Sequence, residues 1–105
     1  MTEATVTVHT DATAVRIAIA GELDLGNAAT VEEQIFSAVR NHATSVVVDL
    51  TDLRYLDSSG LRILFLLAGR LELLQISLEL VAPHRSPARR VVELSGLGSL
   101  VPLRP

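Results

Sequence analysis

The stretch Asp57-Ser58-Ser59-Gly60 places two hydroxyls and a carboxylate between the most apolar segments of the chain, Val46 to Leu50 and Ile63 to Ala68. Three chemistries could use such a junction. The first is helix capping: a serine before a helix satisfies free backbone N–H groups and contributes roughly 1 kcal/mol. With a helix beginning at Ser59, Ser58 is the expected cap. The second is phosphate acceptance. A hydroxyl beside a helix N-terminus sits in a field that favours anions, so a phosphate there is compatible with the helix. It would add about two negative charges beside Asp57 at pH 7. The third is nucleophilic catalysis, which has little support. No G-x-S-x-G elbow is present, and His9, His42 and His84 are not tied to either serine by spacing. Those histidines also lack metal-ligand spacing, so no metal is expected. Gly60 belongs to no phosphate loop, because the chain has no G-x-x-x-x-G-K pattern and no lysine.

The elements that must position this junction follow from periodicity. Val6 and Val8 alternate with Thr5 and Thr7, and Val15, Ile17 and Ile19 alternate with Arg16, Ala18 and Ala20. These read as two strands joined by a turn at Asp11-Ala12-Thr13, the second closed by Gly21. Glu22 to Gly26 reads as a loop. Asp24 and Asn27 are both candidate caps for a first helix carrying Ala28, Val31, Ile35, Val39 and His42 on one face. Val46 to Leu50 is a strand, and a second helix runs from about Ser59 to Arg70. Ile76, Leu78 and Leu80 alternate as another strand. Ser86-Pro87 opens a third helix that ends at Gly96, and Leu100 to Leu103 reads as a last short strand. Alternating strands and helices predict an α/β domain, with helices mainly on one face of the sheet. The expected core includes Val31, Ile35, Val46, Val48, Leu50, Leu64 and Leu78.

The bulk properties bound the function. The 105 residues fit one domain spanning 1–105, with 49% hydrophobic residues and only 3% aromatic ones. The net charge of −3 argues against a nucleic-acid partner. Arg89 and Arg90 read as solvated helix-surface residues. There are no cysteines, hence no disulfides or thiolate sites. The start lacks the character of a signal peptide. The longest apolar run is six residues, against the ~20 of a membrane helix. A cytoplasmic protein with no membrane insertion and no cofactor is expected.

Three segments match a known family in order: GELDL (Gly21 to Leu25), VVVDLTDLRYLDSSGLRIL (Val46 to Leu64) and RRVVELSGL (Arg89 to Leu97). The chain resembles the STAS domain, above all the small bacterial anti-sigma factor antagonists. The D-S-S-G-L junction after an apolar strand is the most specific of the matching elements. The resemblance implies a single domain with a mixed, mostly parallel sheet. It implies a binding protein, not an enzyme, that in its unphosphorylated state binds an anti-sigma factor which is also a serine kinase, and so releases a sigma factor. The phosphoacceptor position falls on Ser58, and a phosphatase would reverse the modification. Asp57 and Asp24 match acidic positions of the family's partner surface, which also includes Ser59 and Gly60 here. The alternative within the family is a non-switching scaffold or accessory subunit, in a stress-signalling complex or a lipid transporter.

The second helix departs from the family pattern in being more apolar. Leu61, Leu64, Phe65 and Ala68 form one stripe, and Ile63, Leu66, Leu67 and Leu74 another. One stripe suffices to pack on a sheet. The second is either buried under a neighbouring helix or marks a partner or dimer surface. A monomer or weak dimer is expected.

Overall fold

The computed structural model describes residues 3–39 and 42–105. Its elements are β1 (Ala4–Asp11), β2 (Ala14–Leu23), α1 (Ala28–Ala38), β3 (Ser45–Asp49), β4 (Leu53–Leu56), α2 (Ser58–Leu73), β5 (Ser77–Val81), α3 (Pro87–Ser95) and β6 (Leu103–Arg104). A short 3-10 turn, Leu97–Ser99, follows α3.

The sheet runs β1-β2-β3-β5-β6, with β4 paired to the far end of β2. Only the β1–β2 hairpin is antiparallel. Its turn is tight enough to hold Ala12 at φ 53°. Register fixes the faces. Val15 pairs with Val46 and Val46 with Leu78; Ile17 pairs with Val48 and Val48 with Leu80. All six are buried. They form one core with Val31 and Ile35 of α1, with Ile63, Leu64, Leu67 and Leu71 of α2, and with Ala88 and Val92 of α3. The residues between them, Arg16, Val47 and Glu79 in one row and Ala18, Asp49 and Val81 in the next, are not buried. One face of the sheet is therefore covered, as the alternation predicts. The whole expected core list is buried.

Several boundaries differ from the sequence reading, each for a local reason. Gly21 does not close β2. At φ +98° it pairs with Leu53 of β4, a bulge then shifts the register past Arg54, and Glu22 and Leu23 continue the strand against Tyr55 and Leu56. A side chain at Gly21 would run into the Glu3 carbonyl oxygen, so glycine is needed there. The strand β4 carries no sequence signal, because in Leu53-Arg54-Tyr55-Leu56 only the two end residues are buried and no period-two pattern shows. The first helix stops at Ala38; Val39 is extended, so His42 lies beyond the helix, in the connection to β3. The last strand is Leu103–Arg104, preceded by the 3-10 turn and not running from Leu100.

The third helix follows its local signals. Ser86 Oγ accepts from the Arg89 N–H at 3.2 Å, Pro87 occupies the first turn, and Gly96 ends the helix at φ 84°. Arg89, expected in solvent, is instead only 11% exposed and donates to the Ala82 carbonyl at 2.7 Å while pairing with Glu93. Arg90 is exposed.

Candidate functional site: the carboxylate and serine junction at the start of α2

The bulge at Gly21 builds the site. Once β2 leaves β3 and pairs with β4, Leu23 stands opposite Leu56 in parallel register. The next residue on each strand is an aspartate, Asp24 and Asp57. Two aspartates 33 positions apart thus follow neighbouring strand ends (57 minus 24). The Asp57 N–H donates to the Leu23 carbonyl at 3.3 Å, which ties the two exits together.

Asp57, not Ser58, caps α2. Its Oδ1 accepts from the N–H groups of Ser59 at 2.9 Å and Gly60 at 3.2 Å. Asp57 is in extended conformation, as an N-cap requires, and Ser58 is the first helical residue. This placement leaves the serine hydroxyl unoccupied by the cap. Ser58 is exposed, and its side chain makes no hydrogen bond among the described residues. The hydroxyl is therefore free of any structural duty. Ser59, one position on, is half-buried.

Gly60 is buried. A Cβ there would lie 2.9 Å from Leu23 Cγ and Cδ2, and closer still to Leu56 Cδ1. The missing side chain lets the first turn of α2 settle directly on the paired leucines that carry Asp24 and Asp57. Gly60 thus contributes to the surface from beneath.

Asp24 organises the connection into α1. Its Oδ1 accepts from the Gly26 N–H at 2.9 Å, and its carbonyl accepts from the N–H groups of Asn27 and Ala28. Asn27 closes the turn from the other side, its Oδ1 accepting from the Asp24 N–H and its Nδ2 donating to the Glu22 carbonyl at 2.8 Å. The cap position of α1 is Asn27, without a side-chain cap bond. Leu25, held out by this turn, is 80% exposed. Leu25, Ser59 and Arg62 line one shallow depression, so the GELDL segment and the start of α2 form a continuous surface. Leu25 and Arg62 were not singled out from the sequence; an exposed leucine in a short acidic loop was the available signal for the first.

The three histidines stand apart, His9 on β1, His42 after α1 and His84 after β5, all exposed. No cluster of metal-ligating side chains occurs among the described residues. No helix among them is long and apolar enough to cross a membrane.

The STAS-domain sequence profile matches residues 3–105. The chain belongs to the STAS family. This STAS domain is 38% identical over 82 residues to the anti-sigma-F factor antagonist RsfB of Mycobacterium tuberculosis, a match covering 77% of this chain and 65% of RsfB. The chain thus spans slightly less than two thirds of that relative's length. Its structure superposes on the crystal structure of an anti-sigma factor antagonist from Mycobacterium paratuberculosis with a TM-score of 0.87, at 28% identity, covering 98% of this chain and 86% of the other. The unphosphorylated form of the anti-sigma factor antagonist SpoIIAA shares the fold, with a TM-score of 0.76 at 23% identity over 96% of this chain and 89% of the other.

Proposed function

We propose that this STAS domain is an anti-sigma factor antagonist. In its unphosphorylated state it binds an anti-sigma factor that is also a serine kinase, and a sigma factor is released. Phosphorylation at Ser58 ends the binding, and a phosphatase restores it. The partner surface comprises Asp24, Asp57, Ser58 and Ser59, supported from below by Gly60. The similarity to RsfB supports the antagonist role. The observation that carries the switch is the exposure of Ser58 at the first helical position while Asp57 performs the capping.

The division of labour between Asp57 and Ser58 separates signalling from stability. Modifying Ser58 removes no cap, and a phosphate at the helix N-terminus is favoured by the dipole. The amides of Ser59 and Gly60 are already engaged by Asp57, so the phosphate remains directed at the partner. It adds about two negative charges beside Asp57 and Asp24. Burying such charge unpaired at an interface costs several kcal/mol, and each ~1.4 kcal/mol is tenfold in affinity. Phosphorylation therefore weakens binding by about one hundredfold or more while the melting temperature stays within a few degrees.

Incubation with the cognate kinase and ATP, followed by mass spectrometry and calorimetric titration, tests this reading. Phosphate is expected on Ser58. Ser58→Ala should bind and remain unmodified, Ser58→Asp should mimic the phosphate in part, and Ser59→Ala should remain a substrate. Phosphate on Ser59 would shift the switch by one residue. Binding with neither serine modified would leave a constitutive scaffold in its place.

A further inference from the structure

The apolar excess of α2 divides differently from the two stripes read in the sequence. The buried stripe is Gly60, Ile63, Leu64, Leu67 and Leu71. Phe65, Leu66, Leu73 and Leu74 are left exposed, Leu73 at 86%. Together with α1 they form an open groove of about 1070 Å3 between the two helices. From this face we infer that the α1–α2 groove is a self-association surface, on which a second copy of this chain docks about a two-fold axis running along the groove.

Three observations select a second copy as the occupant. The first is the partition of charge. Glu32 and Glu33 line the groove from α1, whereas Arg70 lines it from α2 and Arg62 continues that edge toward Ser59. None of these four has an ion-pair partner among the described residues. Both helices return between parallel strands, so they run in the same direction. A two-fold along the groove then lays α1 of each chain over α2 of the other, with acids facing arginines twice over. A surface that is acidic on one helix and basic on its neighbour is complementary to itself, as an isologous contact demands.

The second observation is Gly69. It lies inside α2 and lines the groove, and a Cβ there would meet nothing within 4 Å. A helix-interior glycine costs about 1 kcal/mol relative to alanine, and no contact within the chain requires this one. A facing helix that approaches closely does. The third is the Arg70 guanidinium, held 5.4 Å from the Phe36 ring centroid. Reaching from α2 to a ring on α1, this contact orders the arginine within the groove, so less side-chain freedom is lost when an acidic partner meets it.

The size of the surface sets the strength. Ten residues line the groove, against roughly 20–30 a side in a stable interface. The dimer is therefore of the weak, transient class. Its centre at Gly69 lies 11 residues beyond Ser58 (69 minus 58), about 16 Å along the helix. Failure of this dimer and failure of the Ser58 switch are thus separate outcomes.

Sedimentation equilibrium from about 5 µM to about 1 mM, the span in which weak association is populated, tests the proposal. Wild type should pass from monomer to dimer. Gly69→Leu, whose Cβ meets nothing within 4 Å in the monomer, should hold or raise its melting temperature and weaken association at least tenfold. Leu73→Gln should do the same. Arg70→Glu and Glu33→Arg should each fail to self-associate, and an equimolar mixture of the two should recover the dimer. A wild-type chain that stays monomeric throughout overturns the proposal. So does a dimer insensitive to Gly69→Leu and Leu73→Gln, which would place the seam elsewhere. A monomer whose groove binds a different protein would assign the face to that partner instead.

Discussion

Replacing Asp57 with alanine should destabilise the domain more than any change at Ser58, and the ordering of three variants measures which side chain caps α2. Asp57→Ala removes the acceptor of two backbone N–H groups, those of Ser59 and Gly60 at 2.9 and 3.2 Å. Loss of an N-cap costs about 1 kcal/mol, within a range of about 0.5–2. Removing a negative charge from the helix start forfeits part of a further 0.3–1 kcal/mol, roughly, at a surface site. Together these give about 1–2 kcal/mol. For a domain near 100 residues, each kcal/mol moves the melting temperature by about 4–8 °C. Asp57→Asn keeps an acceptor and loses only the charge, so about 0.3–1 kcal/mol should go. Ser58→Ala changes an exposed side chain without hydrogen bonds and should stay within about 0.5 kcal/mol of wild type. Thermal and urea unfolding followed by circular dichroism give all three values. A Ser58→Ala loss equal to or larger than that of Asp57→Ala would refute the reasoning and return the cap to the hydroxyl.

Other perturbations probe the support beneath the site and the open face of the sheet. Gly60→Ala should cost about 1–3 kcal/mol through overpacking, since the new methyl meets Leu23 and Leu56; a neutral result in urea unfolding would show that α2 can lift without penalty. Leu64→Ala should cost about 2–5 kcal/mol, the side chain being 1% exposed; a loss below about 0.5 kcal/mol would contradict its place in the core. Burial alone would push the Asp49 carboxyl up, but hydrogen bonds from Thr51 and Arg16, with the attraction of the latter, outweigh it and hold the group below its ordinary 3.8. A depressed carboxylate stabilises the fold above its unfolded value and stops doing so as pH falls through the folded one. Wild type should therefore lose more urea stability than Asp49→Asn between about pH 5 and about pH 2; equal losses would refute the assignment.

The parts of the fold legible in the sequence are those settled by neighbours in the chain. Alternation alone places β2, β3 and β5 and their buried faces, and Ser86-Pro87 with Gly96 brackets α3 because caps are local. The start of α2 was legible to within one residue. The error there came from adjacency, since aspartate and serine are comparable caps and stand next to each other. What stayed hidden depends on distant partners. The strand β4 exists because the Gly21 bulge offers it the end of β2, and its four residues carry no pattern of their own. The proximity of Asp24 to Asp57 follows from that same pairing. Resemblance to a family supplied it where periodicity could not. The apolar residues of α2 could be counted but not sorted, because which of them are buried depends on the angle at which α1 lies beside them. Arg89 is covered by a contact with Ala82, seven residues back, that helix periodicity does not encode.

The two margins of the sheet are guarded unequally. On one side β6 is only two residues long and sits between Pro102 and Pro105. The carbonyls of Pro102 and Arg104 accept from the N–H groups of Leu80 and Ala82, and the flanking prolines, lacking N–H groups, blunt further pairing. On the other side β1 offers eight residues with no neighbouring strand among those described. It alternates threonine with valine and contains no proline. Its carboxylates stand only at the ends, where Glu3 precedes it and Asp11 closes it. Strand addition, whether by a recruited peptide or by an aggregating copy under stress, is therefore directional in this protein: the sheet can be extended at the hairpin side and is terminated at the other. A lysine or proline placed at an outward position of β1 is the economical safeguard for work at high concentration.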